Sequence, residues 1–101
     1  MARMLALIER NEILPAPSCR AMKNILLGQK RRDVMTADLP KDLPVAHKTG
    51  ELLGLLHDCG IVYVPGRPFI LCLLGKDIRD REKARAVWAS LTRRLYLEMK
   101  P

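Results

Sequence analysis

Six consecutive apolar residues, Phe69-Ile70-Leu71-Cys72-Leu73-Leu74, constrain this chain more than any other stretch. Successive side chains of a strand point to opposite faces, so a strand that is apolar at every position needs cover on both. The residues just before it, Val64-Pro65-Gly66-Arg67, place Pro and Gly at the centre of a type II turn. So short a connection sets the preceding strand, near His57 to Val64, antiparallel to the apolar one. The resulting sheet requires helices on each side.

One of those helices is plain in the pattern. Ala84, Val87, Trp88, Leu91, Leu95 and Met99 recur at three- and four-residue steps, with Trp88 as the core anchor. Asp77 or Asp80 is placed to cap this helix. Arg79, Arg81, Lys83, Arg85, Arg93 and Arg94 are expected on its solvated side.

The first part of the chain is helical. Met1, Met4, Leu5 and Ile8 have helical spacing with no capping residue before them, so the sequence is expected to begin inside an element. Asn11-Glu12 ends that helix. Ser18, after Pro15 and Pro17, is the expected cap of a second helix with the stripe Met22, Ile25 and Leu26, weakened at Gly28. Lys30-Arg31-Arg32 reads as a solvated helix end favoured by the helix dipole. Val34 to Pro44 reads as a loop, because Pro40 and Pro44 exclude a continuing helix. A strand is expected over Leu43 to Gly50. Glu51 to Leu56 reads either as its extension, bulged at Gly54, or as a loop.

The expected fold is α+β: a three-stranded antiparallel sheet, a long C-terminal helix on one face, and N-terminal helices. One domain is expected over 1–101, with a helical part and loop at 1–42 and the sheet and terminal helix at 43–101. A chain of 101 residues, 49% hydrophobic, has enough apolar material for a small core and too much for disorder. Aromatics are only 4%, so the core is aliphatic.

The formal charge of +7 and pI near 9.8 permit attraction to nucleic acid or anionic membrane. No RNP-like, zinc-finger or basic-zipper pattern accompanies that charge, and the aromatics needed for base stacking are nearly absent, which argues against nucleic acid. The three cysteines, Cys19, Cys59 and Cys72, do not make a complete disulfide framework, and Cys72 is expected to be a buried thiol. His47 and His57 could face each other across a hairpin, but two ligands without a third do not make a zinc site. No metal and no cofactor are expected. The N-terminus has no secretory h-region, no apolar run reaches a membrane span, and localisation is left open.

The candidate chemistry lies in His47-Lys48-Thr49-Gly50. Lys48 offers a cation, Thr49 a hydroxyl, and Gly50 an open approach to the backbone, a set suited to a carboxylate-bearing substrate. On a regular strand Lys48 and Thr49 point to opposite faces.

The triad resembles the Lys-Thr-Gly box of class A β-lactamases and related penicillin-binding serine hydrolases. The surroundings extend the resemblance: Leu43-Pro44 leads in, His57-Asp58-Cys59-Gly60-Ile61-Val62-Tyr63 is similar to the next strand, and the long terminal helix follows. It runs from about Met1 to Met99 and covers only the C-terminal portion of the family. It implies that Lys48 supplies positive potential to the substrate carboxylate and catalytic hydroxyls. Thr49 and Gly50 complete the substrate-binding box, Thr49 bonding the carboxylate, and the Glu51 backbone N–H serves an oxyanion hole. Many relatives carry an Arg on the adjacent strand, where this chain has Asp58-Cys59.

The family's nucleophile is a Ser-x-x-Lys serine. Ser18 is followed at that spacing by Ala21, and Ser90 by Arg93, so no catalytic residue is expected among these residues. The resemblance therefore implies part of a β-lactam-hydrolysing enzyme that is inactive alone and pairs with a missing N-terminal half or with itself. The alternative is a small basic module for nucleic acid or protein interaction.

Overall fold

The computed structural model describes residues 1–100. Its elements are α1 (Ala2–Glu9), α2 (Ala16–Leu27), β1 (Val45–Leu52), β2 (Leu55–Val62), β3 (Phe69–Gly75) and α3 (Arg81–Met99). The strands form one antiparallel sheet in the order β1-β2-β3. This is the expected α+β architecture.

Each face of the sheet has its own core. On one face Val45, Val62 and Leu73 pack with Met35 and Leu39, against Trp88, Tyr96 and Met99 of α3. On the other, Ala46 and Ile61 pack with Leu5 of α1 and Leu26 of α2. The Tyr63 hydroxyl donates to Glu9 at 2.5 Å, fixing α1 to the end of β2.

The segment between α2 and β1 is irregular, as expected, yet it buries Val34, Met35, Thr36 and Leu39 completely or nearly so. It shares with α3 the work of covering that face. The Leu53–Gly54 pair closes β1 onto β2 as a tight hairpin, since Leu52 pairs with Leu55 and Gly54 takes a φ of +75°. The ambiguous stretch Glu51 to Leu56 is thus two paired strands. The turn at Val64–Arg67 has the expected form, with Gly66 at φ +80° and the Arg67 N–H bonding the Val64 carbonyl at 3.0 Å.

Several side chains sit elsewhere than their spacing suggested. Ser18 does not cap α2, which starts at Ala16 after Pro15 with Pro17 in its first turn. Ile25 is 75% exposed, and α2 turns Cys19 inward instead. In α3 the buried side runs through Ala89 and Thr92, leaving Val87 52% exposed. Thr92 is tolerated inside because its hydroxyl bonds back to the Trp88 carbonyl at 2.8 Å. Asp80 caps α3 through the Lys83 N–H at 3.1 Å.

Strand β3 departs most from its expectation. It is only half-buried over most of its length, and Leu74 is 64% exposed. Cover on both faces is therefore incomplete where β3 forms the sheet margin. No helix among the described residues is long and apolar enough to cross a membrane.

Candidate functional site

The box lies on β1, a strand bonded on one side only. The Tyr63 N–H bonds the Pro44 carbonyl at 3.1 Å. In an antiparallel ladder that bond fixes the alternation: Ala46, Lys48 and Gly50 exchange backbone bonds with β2, while His47, Thr49 and Glu51 turn theirs to the open side. The Glu51 N–H thus points away from β2, along the margin that also carries the box. Pro44 directly precedes this strand, where a missing N–H costs nothing.

Side chains divide as the pleat demands. Lys48 and Gly50 face α1 and α2. There they border an open, almost wholly apolar groove of about 400 Å³, walled by Met4, Leu5, Leu26, His57 and Leu74. Thr49 also lines it, but its side chain leans to the α3 face and is 6% exposed. Lys48 is an exposed residue, and its ammonium donates to the Thr49 carbonyl at 2.7 Å, on the open margin of β1.

His47 and Asp58 form the polar centre of the α3 face. The His47 Nδ1 lies 2.9 Å from Asp58 Oδ1, and Asp58 Oδ2 accepts from the Met35 N–H at 3.1 Å. Both side chains are sealed from solvent, and the His47 Nε2 has no protein partner. Gly60, opposite His47 in the register, lets β1 approach closely there, since a Cβ would meet the His47 Cβ and the Ala46 carbonyl oxygen. His57 points to the other face and accepts from the Gly75 N–H at 3.3 Å. The two histidines are therefore separated by the sheet, and the imidazole paired with Asp58 is His47 rather than its neighbour His57. Among the described residues no three His, Cys, Asp or Glu side chains cluster as metal ligands.

Glu51 closes the box at the hairpin end. Its carboxylate takes Arg31 at 2.5 Å, Arg81 at 2.9 Å and Arg85 at 3.0 Å, and Arg81 also donates to the Leu52 carbonyl. Arg81 and Arg85 are thus not simply the solvated side of α3, nor is Arg31 only a helix-end charge. The clamp binds the residue after the box to α3 and to the loop after α2. Arg31 first, then Arg85, hold the Glu51 carboxyl below the usual glutamate range. Asp33 is lowered by Arg31 in the same way.

A carboxyl lowered on folding stabilises above its unfolded pKa, and that contribution disappears as pH falls through the folded value. Thermal melts of Glu51→Gln and the parent should therefore differ most near neutrality and converge in acid, below the ordinary glutamate value of about 4.3. A gap independent of pH would show that the clamp adds nothing.

No sequence signal in the box points to the His47–Asp58–Met35 linkage, because Asp58 reaches diagonally across the strand pair to the residue opposite Gly60, two positions along. Glu51's clamp was hidden for a related reason: its three arginines come from separate segments.

A family model described as the beta-lactamase enzyme family matches residues 1–99. Among solved structures, the chain is similar to PBP-A, with a TM-score of 0.85 at 23% identity over 96% of this chain and 37% of that one. A mutant PBP-A, solved as an acyl-enzyme complex with penicillin G, gives 0.87 at 23% identity over 96% and 37%. A beta-lactamase from Sphaerobacter thermophilus gives 0.83 at 19% identity over 96% and 39%. At these identities the likeness establishes the fold. The chain spans less than two fifths of the length of the structures it matches. Comparison with curated proteins gives no match.

Proposed function

We infer, from membership of the beta-lactamase enzyme family to which this chain belongs, that it supplies the substrate-binding strand of a β-lactam-directed serine hydrolase. The observation that carries this reading is the open margin of β1. It aligns the Lys48 ammonium, the Thr49 carbonyl and the Glu51 N–H beside a groove.

In the proposed reaction a serine outside these residues attacks the lactam carbonyl, the ring C–N bond breaks, and water later releases the acyl group. Lys48, swung off the Thr49 carbonyl, attracts the substrate carboxylate. Thr49 and Gly50 shape its seat. The Glu51 N–H, stiffened by the arginine clamp, bonds the oxygen that becomes negative as the carbonyl is attacked. Asp58, committed to His47 and Met35, is unavailable to the substrate, so no arginine-like contact comes from that position.

The nucleophile belongs to a segment carrying Ser-x-x-Lys, since Ser18 and Ser90 lack that pattern. That segment is also the proposed partner. Half-covered β3, with Leu74 exposed, and the outward Val87 and Leu91 of α3 supply apolar surface for it, or for a second copy of this chain. The alternative, a basic nucleic-acid module, is weakened because Arg31, Arg81 and Arg85 are already engaged by Glu51.

The test begins with the coding frame upstream of Met1, read for Ser-x-x-Lys, and continues with co-expression of that segment. Alone, the chain should leave nitrocefin intact and form no acyl adduct with penicillin G. Together they should acylate, and Lys48→Ala should lower kcat/KM by roughly 2–4 kcal/mol in transition-state terms. Acylation of Ser18 or Ser90 in the isolated chain, or unchanged kinetics in the Lys48 variant, would sink the reading.

A further inference from the structure

Cys59 of β2 and Cys72 of β3 are direct register partners. Lys48 pairs with Cys59 from the other side, so Lys48, Cys59 and Cys72 form one row across the sheet on the α1 face. The backbone alternation set at Tyr63 and Pro44 turns the N–H and C=O of Cys59 toward β1. Cys59 and Cys72 therefore form a non-hydrogen-bonded pair, the narrow kind, whose Cα atoms lie about 4.5 Å apart in antiparallel sheets. That spacing falls within the range of about 4.4–6.8 Å that a disulfide bridges. Both thiols are free and half-buried, and Cys59 borders the open groove beside Lys48. Cys19 is different: it is sealed in the core, with its thiol on the Leu14 carbonyl at 3.4 Å.

We propose that Cys59 and Cys72 are a dithiol modification site, closed to a cross-strand disulfide by exchange with a small-molecule disulfide. One protein sulfur, as thiolate, attacks the reagent's S–S bond, forming a mixed disulfide and releasing one small thiol. The second protein thiol loses its proton to solvent and attacks the first protein sulfur, expelling the other small thiol. Two protein thiols are oxidised, and one reagent disulfide is reduced to two thiols.

Burial first, then the Cys72 side chain beside it, push the Cys59 thiol up to about 12. Cys59 keeps its proton at neutral pH, which slows its part in the exchange. Closure should be slow near neutrality and faster in alkali. The bond would tie the half-covered β3 to β2 directly behind the box lysine.

The test uses the full chain, folded, with excess oxidised glutathione. After alkylation, chymotryptic cleavage at Tyr63 and Phe69 separates the two cysteines. The expected product is lighter by two hydrogens, joins the Cys59 and Cys72 peptides, and leaves Cys19 as the one alkylated thiol of three. Cys59→Ser should stop at a stable glutathione adduct on Cys72. A stable adduct in the parent, a link through Cys19, a dimer joined between chains, or no reaction would each overturn the assignment.

Discussion

Replacing Asp58 by Ala is expected to remove about 3–5 kcal/mol of folding stability. Asp58 is fully buried, and its two oxygens answer two different segments: His47 of β1 and the backbone of Met35 in the loop after α2. Truncation leaves the His47 Nδ1 and the Met35 N–H inside the protein without acceptors, where water cannot replace them. The His47 Nε2 is already without a partner, so the ring has no second contact to fall back on. A domain of this length has about 5–15 kcal/mol in total, so the loss is a large share of it. Asp58→Asn keeps one acceptor oxygen and should cost about 1–2 kcal/mol. Urea denaturation of the two variants decides the matter. Equal, small losses would show that the linkage contributes little and that His47 relaxes toward other partners.

How far the residues announced this arrangement depends on whether the cause was local. The hairpin turn at Pro65-Gly66 and the Asp80 cap depend on neighbours within a few positions, and both are legible. The α3 stripe was legible as a period but not as a phase. The sheet beneath it, not the helix, decided that Ala89 and Thr92 face inward while Val87 turns out. Leu53-Gly54 carries no Asn-Gly or Asp-Gly signal, so the β1–β2 hairpin was hidden, although Gly54 supplies the positive φ that the turn needs. The loop from Val34 to Pro44 is legible from Pro40 and Pro44, but its buried Val34 and Met35 are not.

At the box, the opposite orientation of Lys48 and Thr49 follows from the pleat alone. The contacts made by His47 and Glu51 are long-range and could not be read from spacing. The same limit applies to β3, whose apolar run called for two covers. The run describes what the strand requires, whereas its half-buried state describes what these residues provide.

Gly60→Ala should be nearly as damaging as the loss of Asp58, by a different route. A Cβ built at Gly60 lies 2.5 Å from the His47 Cβ, 2.6 Å from the Ala46 carbonyl oxygen and 2.9 Å from the His47 Cα. None of these atoms is the free end of a flexible side chain, so β1 itself must move away from β2. Moving it lengthens the ladder bonds around Ala46 and Lys48 and draws His47 away from Asp58. Overpacking alone costs about 1–3 kcal/mol, and disturbing the buried linkage brings the expected total to about 3 kcal/mol or more. Because the two variants then damage the same linkage, Gly60→Ala combined with Asp58→Ala should cost less than the sum of the two alone. A double-mutant cycle by urea denaturation measures that coupling. Full additivity would mean that Gly60 acts only through strand separation. A Gly60→Ala chain as stable as the parent would show that β1 can shift without disturbing the box strand.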